Sequence, residues 1–331
     1  MANSRPTVLV TESEYRKAKA RFSSAPGLEC LRAPDAEAEL ASAIREAHAS
    51  HVVVGPGTYS ESLYDALPAG GVIARFGVGH DGIDKARATK AGLLCTNTPG
   101  VLDQSVAEHT MLLVAAAARA LISASRSMTQ GVWDPVMGEE LQGKTLAIIG
   151  CGVIGRSVAR IATLGYGMRV VGCSRPDVPP PSELEHFRVV TNDFPVAVRD
   201  ADFVSLHLSA SRDNANFINR DRLAHLGERT WLINTARGWM VDEGALFAAL
   251  AASRLAGAAL DVFTREPYAP VEGSGDLRSL ANVILTPHVG SNTIEANGRM
   301  AERALQNIML AEAGAFAQMD LLNPEVLSSK F

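Results

Sequence analysis

Three charged side chains follow three successive predicted strands in the last third of the sequence. They are Arg237, Glu266 and His288, and the strands that precede them cover residues 230–234, 255–260 and 283–285. Polar groups just past the carboxyl ends of parallel strands lie at the edge of an open α/β sheet where ligands bind. We therefore expect these three side chains to form one site.

The three residue types fit one reaction. The guanidinium of Arg237 is suited to bind a carboxylate by charge-assisted hydrogen bonds and to polarise an adjacent carbonyl. The imidazole of His288 is suited to give a proton to that carbonyl oxygen as a hydride arrives, or to take it in the reverse direction. A carboxylate at Glu266 favours the protonated form of the imidazole. The set predicts interconversion of a 2-oxo acid and a 2-hydroxy acid.

A glycine-rich turn at residues 150–155 predicts the source of the hydride. It follows a buried strand and precedes a helix, in a Gly-x-Gly-x-x-Gly pattern. Gly150 permits the tight turn, Gly152 lets the backbone approach a pyrophosphate, and Gly155 lets the helix pack closely on the strand. The free N–H groups and the dipole of the helix stabilise the negative charge. The strand, turn, helix and second strand occur in the required order, which favours a dinucleotide site over a glycine turn without a ligand.

The next strand, over residues 169–172, leads to the residues expected to meet the adenosine ribose. An Asp or Glu about 20 residues past the glycines binds the ribose hydroxyls of NAD, but this sequence has Ser174 and Arg175 there. A hydroxyl and a guanidinium suit a 2′-phosphate. We expect NADP(H) to be favoured over NAD(H). The alternative is that Arg175 is a solvated loop residue and NAD(H) binds without the acidic contact.

Short apolar runs alternate with helical patterns along the chain, which is typical of parallel sheets flanked by helices. In the first part, strands are predicted over residues 8–10, 51–54, 72–75 and 93–96, with helices over 12–22, 36–49 and 85–91. In the second part, six strands are predicted over residues 145–149, 169–172, 203–206, 230–234, 255–260 and 283–285, with helices over 153–164, 196–199, 220–226 and 242–253. The predicted fold class is α/β, with a doubly wound Rossmann domain and a smaller flavodoxin-like α/β domain.

Two further helices define the expected domain boundaries. One is predicted over residues 101–130, and one runs from about 293 to 313 and is placed as a return to the first domain. We expect residues 1–100 and 293–331 to form a discontinuous substrate domain, and residues 101–292 to form the dinucleotide-binding domain. The Pro-rich residues 177–181 are predicted to form a loop rather than an interdomain linker.

Composition excludes several classes of protein. The 331 residues carry a formal net charge of −5 and are 47% hydrophobic, which suits a soluble globular chain. The absence of a Lys/Arg-rich block argues against nucleic acid or a membrane surface as partner, and no apolar run reaches about 18 residues. The four cysteines are scattered without a C-x-x-C pair, so we expect reduced thiols in the cytoplasm and no metal site.

Taken together, the motifs resemble the D-isomer-specific 2-hydroxyacid dehydrogenases. The matching stretches recur in the family's order, at residues 75–84, 97–99, 150–155, 234–246, 259–263, 266–267 and 286–290. Among family members, the sequence is most similar to the phosphoglycerate dehydrogenase and glyoxylate/hydroxypyruvate reductase branches. The resemblance implies hydride transfer between NADP(H) or NAD(H) and a small 2-oxo or 2-hydroxy acid such as glyoxylate or hydroxypyruvate.

The resemblance implies the same roles for Arg237, Glu266 and His288, and it adds the backbone amides of Val78 and Gly79 as donors to the substrate carboxylate. It also adds positions that line the cofactor, with Asp261 near the nicotinamide amide: Thr98, Val153, Ile154, Thr235, Asp261, Gly290 and Ser291. Phosphoglycerate dehydrogenases also carry Arg at the place of Arg75, which fits either an anionic substrate tail or a structural ion pair.

Several points stay open at this stage. His80 is inserted between Gly79 and the following Asp-Gly, and it serves either substrate specificity or loop packing. The helix over residues 101–130, which carries His109 and precedes Trp133, is part of a homodimer interface by resemblance, or else an ordinary buried helix. His109 itself is expected to serve packing or a dimer contact.

Two alternative functions fit the same fold. One is a formate- or phosphite-type dehydrogenase. The other is a non-enzymatic, NAD(H)-sensing protein similar to the transcriptional corepressors that share this fold. Turnover of 2-oxo acids distinguishes both from the favoured function.

Overall fold

The computed structural model describes residues 5–175 and 181–328. The chain divides into two compact units, one formed by Met1–Leu102 with Asn292–Phe331 and the other by Asp103–Ser291. Each unit contains a parallel sheet with helices, so the predicted α/β fold class is confirmed. Of the residues 177–181 that were predicted to form a loop, 177–180 lie outside the described ranges, and Pro181 begins the short 3-10 helix Pro181–Leu184.

The first unit has five parallel strands in the order β2-β1-β3-β4-β5. The strands are β1 (Thr7–Thr11), β2 (Glu29–Ala33), β3 (His51–Val54), β4 (Val72–Arg75) and β5 (Leu94–Thr96). The helices are α1 (Glu12–Lys17), α2 (Lys19–Ser23), α3 (Glu37–Glu46), α4 (Ser62–Ala66) and α5 (Lys85–Lys90). Every residue of β3 and β4 is buried, as expected for central strands of a parallel sheet.

Two predictions for this unit were wrong, and the short helix α4 was not predicted. Four strands were predicted, and β2 was missed because it is an edge strand with three of its five residues exposed, so it carries no apolar run. The single helix predicted over residues 12–22 is two helices, because the backbone leaves the helical conformation at Ala18, with φ −138° and ψ 37°.

The second unit has seven parallel strands in the order β12-β11-β10-β9-β6-β7-β8. The strands are β6 (Thr145–Ile149), β7 (Arg169–Cys173), β8 (Val189–Thr191), β9 (Phe203–Leu206), β10 (Trp231–Asn234), β11 (Gly257–Leu260) and β12 (Val283–Leu285). The helices are α6 (Asp103–Ala118), α7 (Leu121–Thr129), α8 (Val153–Tyr166), α9 (Phe194–Val198), α10 (Arg220–Leu223) and α11 (Glu243–Ala251). The prediction of six strands missed β8, which is again a short edge strand.

The register of this sheet aligns the carboxyl ends of its strands. The last residues of neighbouring strands pair with one another in the series Cys173, Ile149, Leu206, Asn234, Leu260 and Leu285. The loops that follow therefore start at the same level along one edge. This is the edge at which open α/β sheets bind ligands.

The helix predicted over residues 101–130 is broken. Ala120 takes a left-handed conformation with φ 47° between α6 and α7, and the two helices bend by 66° there. No single helix in the described part of the chain is long and apolar enough to cross a bilayer, although α6 and α7 together meet that criterion of length and composition. Ten residues of α6 are buried, whereas α7 buries none, so the break separates a core helix from a surface helix.

The last long helix, α12 (Ile294–Glu312), belongs to the first unit. Its N-cap is Thr293, whose hydroxyl accepts the N–H of Ala296 at 3.1 Å. Its bounds agree with the helix predicted from about 293 to 313.

Candidate active site

His288 and Glu266 form a hydrogen-bonded pair on the loops that follow β12 and β11. Nδ1 of His288 lies 2.6 Å from Oε2 of Glu266, and each side chain is about one third exposed, at 33% and 31%. The other carboxylate oxygen of Glu266 accepts the N–H of Phe263 at 2.9 Å, which fixes the carboxylate. With Nδ1 engaged, Nε2 is the ring atom that remains to exchange a proton with a ligand.

Arg237 follows β10, the strand next to β11, in a loop held by Asn234. The amide of Asn234 donates to the carbonyl of Arg237 at 2.9 Å and accepts the N–H of Ala236 at 3.0 Å. At Gly238 the loop touches the loop after β11 so closely that a Cβ would overlap the carbonyl of Phe263. The loops that carry Arg237 and Glu266 are thus in direct backbone contact.

Asp261 is the first residue after β11, and its carboxylate is 1% exposed. Oδ1 accepts the hydroxyl of Thr286 at 2.6 Å and the N–H of Val289 at 2.9 Å, and it lies 3.3 Å from Nε2 of His109. Oδ2 accepts the N–H of Gly290 at 2.8 Å. A carboxylate oxygen accepts more than one hydrogen bond, so Oδ2 has capacity for a further donor such as a carboxamide.

The surroundings of Asp261 also decide its ionisation. Burial by itself raises the pKa of Asp261, but the hydrogen bonds from His109, Thr286, Val289 and Gly290 outweigh burial and bring the pKa below its usual value. The carboxylate is therefore ionised at neutral pH although it is buried.

The glycine turn between β6 and α8 has the geometry of a phosphate cradle. Gly150 has φ +104°, and a Cβ there would meet the backbone of His207. A Cβ at Gly155 would overlap the carbonyl of Gly150, whereas a Cβ at Gly152 would enter open space. Gly152 is also the N-cap residue of α8, so the open space lies beside the free N–H groups of that helix. The turn fits a diphosphate.

Four further cofactor residues predicted for this unit lie near the turn or at the same sheet edge. Val153 and Ile154 form the first turn of α8, and Val153 is 56% exposed. Ser174 and Arg175 directly follow β7, and the N–H of Ser174 donates to the carbonyl of Thr191 at 2.9 Å. Since β7 pairs with β6, these residues lie at the same sheet edge as the turn.

The first unit contains further loops whose residues were predicted to bind the substrate and the cofactor. The hydroxyl of Thr98 accepts the N–H of Gly77 at 3.0 Å, and the N–H of Thr98 donates back to the carbonyl of Gly77 at 3.1 Å. The amide of Asn97 donates to the carbonyl of Val78 at 2.8 Å. These bonds fix the backbone next to Gly79, so the amides of Val78 and Gly79 are held in one conformation.

Arg75 and His80 flank this loop. Arg75 is 9% exposed, its guanidinium donates to the carbonyl of Phe76, and Nη1 would lie 2.9 Å from a Cβ at Gly77. Nδ1 of His80 lies 3.2 Å from the ammonium of Lys85. Arg75 is therefore packed against its own loop, and His80 is tied to the start of α5.

Sequence reasoning missed four residues that hold these loops: Asn97, His109, Asn234 and Gly238. Three of them lie in stretches that were recognised as motifs, but their roles depend on contacts that a motif does not show. His109 had no such signal. Across residues 5–175 and 181–328, no three His, Cys, Asp or Glu side chains are grouped so that they could hold a metal ion.

The comparisons with known proteins agree with this geometry. Residues 111–290 match the model of the D-isomer specific 2-hydroxyacid dehydrogenase NAD binding domain. The chain belongs to the D-isomer-specific 2-hydroxyacid dehydrogenase family. It is 38% identical to a glyoxylate reductase of Thermococcus litoralis over 81% of this chain and 82% of that protein, and 37% identical to a hydroxypyruvate reductase of Thermotoga maritima over 72% and 76%.

Solved structures show the same fold along nearly the whole chain. An NADPH-dependent glyoxylate/hydroxypyruvate reductase from Sinorhizobium meliloti, solved with citrate, superposes with a TM-score of 0.83 at 30% identity and covers 97% of this chain and 99% of that one. The chain is thus an NAD(P)-dependent oxidoreductase that acts on a CH–OH group and its 2-oxo counterpart, and the family and enzyme class predicted from the sequence are confirmed.

Proposed function

We propose that the protein reduces glyoxylate or hydroxypyruvate to the corresponding 2-hydroxy acid. The observation that carries this proposal is the 2.6 Å bond between His288 and Glu266, on loops next to the one that carries Arg237. Curated relatives named glyoxylate reductase and hydroxypyruvate reductase support the choice of substrates.

In this proposal each residue has one task. Arg237 binds the substrate carboxylate and orients the 2-oxo group, with the backbone amides of Val78 and Gly79 as further donors. Nε2 of His288 gives its proton to the carbonyl oxygen, and the carboxylate of Glu266 orients the ring through Nδ1 and places a negative charge beside it. A nicotinamide cofactor would supply or accept the hydride.

We propose that residues of the second unit hold the cofactor and, as the sequence predicted, that Thr98 also lines it. The glycine turn with Val153 and Ile154 would hold the diphosphate, and the residues that follow β10, β11 and β12 would line the nicotinamide half, namely Thr235, Asp261, Gly290 and Ser291. We propose that NADP(H) is preferred over NAD(H). The hydroxyl of Ser174 and the guanidinium of Arg175 support this preference, as does the NADPH dependence stated for the Sinorhizobium meliloti reductase.

The experiment that tests the reaction is cofactor oxidation by the purified protein with glyoxylate, hydroxypyruvate, pyruvate and bulkier 2-oxo acids. Turnover should be found with the small acids, and His288→Ala should lower kcat by about 10²–10⁴-fold while cofactor affinity is retained. Formate and phosphite with the oxidised cofactor test the other dehydrogenase chemistry. Tight cofactor binding without turnover of any acid would contradict the proposal and favour a nicotinamide-sensing protein.

We also propose that the protein is a homodimer. Helix α7 buries none of its residues, and the segment from α7 onward exposes large apolar side chains, among them Leu121 (50%), Met128 (56%), Trp133 (82%) and Met137 (94%). Several large exposed apolar side chains in one segment are typical of a protein interface, and a second copy of this chain is its proposed occupant. Sedimentation of the wild type and of Trp133→Asp tests the proposal, since the variant should shift towards the monomer.

We place the protein in the cytoplasm. Its four cysteines are free thiols in the structure, which suits a reducing compartment. Fractionation of the source cells tests this location.

A further inference from the structure

We propose that His109 is a positioning residue that holds the loop carrying His288 in its working conformation through the carboxylate of Asp261. The inference rests on the proposed function only in that His288 is taken as the proton donor. His109 lies on α6 and touches none of the groups assigned to proton transfer.

The contact of His109 is made by its Nε2 atom. Nε2 lies 3.3 Å from Oδ1 of Asp261 and 3.2 Å from the hydroxyl oxygen of Thr286, and the side chain is 12% exposed. The hydroxyl of Thr286 itself donates to Oδ1 of Asp261 at 2.6 Å. Its oxygen can therefore accept from Nε2–H, and one imidazole N–H meets both residues.

Asp261 in turn accepts hydrogen bonds from three consecutive backbone amides of the loop that carries His288. The N–H of His288 donates to the backbone carbonyl of Asp261 at 2.8 Å, and the N–H groups of Val289 and Gly290 donate to its two carboxylate oxygens. This matters because His288 has φ 53°, a left-handed conformation that persists only where its surroundings impose it. Asp261 supplies these surroundings.

His109 connects this arrangement to a second element. The hydroxyl of Thr286 and the backbone N–H groups of Val289 and Gly290 are donors from the loop itself, whereas His109 comes from the core helix α6. A Cβ at Gly290 would lie 3.6 Å from Cδ2 of His109, so the helix and the loop are also in close packing.

The next residue of α6 reaches the neighbouring loop. The hydroxyls of Thr110 and Thr235 are 2.9 Å apart, and Thr235 begins the loop with Arg237. His109 and Thr110, which are consecutive in α6, therefore contact the groups that hold the loops of His288 and Arg237.

The test compares the substitutions His109→Gln and His109→Asn, whose side chains differ in length by one methylene. The amide nitrogen of Gln can occupy the place of Nε2 and donate to Asp261, whereas that of Asn is too short to reach it. His109→Asn should lower kcat with glyoxylate at least about tenfold with little change in KM, since a small misplacement of a reacting group has effects of this size. His109→Gln should stay within about threefold of the wild type. His225→Asn, at an exposed position after α10, is the control and should leave kcat unchanged.

A second readout does not depend on turnover. Amide hydrogen exchange at Val289 and Gly290 should be at least about tenfold faster in His109→Asn and unchanged in His109→Gln, because these amides end on the carboxylate that His109 fixes. If no 2-oxo acid is reduced, the proposed function fails while the exchange result still decides the positioning role.

Wild-type kcat and wild-type exchange in His109→Asn would overturn the inference. If His109→Asn does not fold, the Gln variant decides. If His109→Gln melts like the wild type and keeps its kcat and exchange rates close to those of the wild type, the inference is supported. If His109→Gln melts like the wild type but loses more than about tenfold in kcat, the inference is overturned.

Discussion

The imidazole of His288 is bonded through Nδ1 to Oε2 of Glu266 at 2.6 Å, and the same carboxylate is anchored through Oε1 by the N–H of Phe263. The carboxylate thereby orients the ring and places a negative charge beside it. We expect Glu266→Gln to lower kcat for reduction by about 10²-fold, because the amide keeps a hydrogen bond but loses the charge. Steady-state kinetics with glyoxylate measure the effect. A variant with wild-type kcat would show that the charge of Glu266 has no part in proton transfer.

Gly238 is required by the contact between two loops. A Cβ at this position would overlap the carbonyl of Phe263, so Gly238→Ala should destabilise the protein by about 3 kcal/mol or more and displace Arg237. Gly244→Ala is the matched control, since its nearest neighbours would be 3.5 Å away and helical Ala is favoured over Gly by about 0.5–1 kcal/mol. In chemical denaturation, the free energy of unfolding should be lower than that of the wild type for Gly238→Ala and higher for Gly244→Ala.

Gly152 is required for a ligand rather than for folding. A Cβ there would meet nothing within 4 Å, and it would fill the space proposed for the diphosphate. Gly152→Ala should therefore fold normally and bind the cofactor at least about tenfold more weakly. Gly165→Ala, also in open space but near the end of α8, should leave affinity unchanged. Fluorescence titration with NADPH compares them, and equal affinities would contradict the proposed site.

Arg175 is expected to decide the choice of cofactor. Arg175→Ala should lower kcat/KM for NADPH by about tenfold or more and leave that for NADH nearly unchanged, because only NADPH carries the 2′-phosphate. Arg169→Ala is the control, since it removes the same charge at the other end of β7. An unchanged preference in Arg175→Ala would remove this residue from cofactor selection.

Asp261 should make stability depend on pH in a defined direction. Its pKa is lower in the folded protein than the value of 3.8 for an unperturbed Asp. The ionised carboxylate thus stabilises the fold above about pH 4, and this contribution is lost as the pH falls through the folded pKa. Asp261→Asn should be less stable than the wild type by about 2–4 kcal/mol near neutral pH, and the difference should narrow below about pH 4. Thermal melts across this range measure it, and a difference that widened in acid would contradict the assignment.

Much of the fold follows from local patterns. The buried strands β3, β4, β6 and β9 were predicted because a strand covered on both faces is a short apolar run. The edge strand β2 was not predicted because its exposed positions leave no such run, and β8 was not predicted because it has only three residues. The break at Ala120 also has no local signal, since neither Gly nor Pro marks it and the left-handed backbone there must be imposed by the surrounding structure.

The sequence by itself determined the family, the parallel α/β architecture and the glycine turn, and it predicted Arg237, Glu266 and His288 as the catalytic residues. These depend on residue type, spacing and order along the chain. Only the tertiary structure decided which groups hold them in place. His109 and Thr286 are 177 positions apart and meet at one carboxylate, and Gly238 is required by a loop from another strand. Contacts of this kind arise from sheet order and register, which bring distant segments together and leave no periodic pattern in the chain.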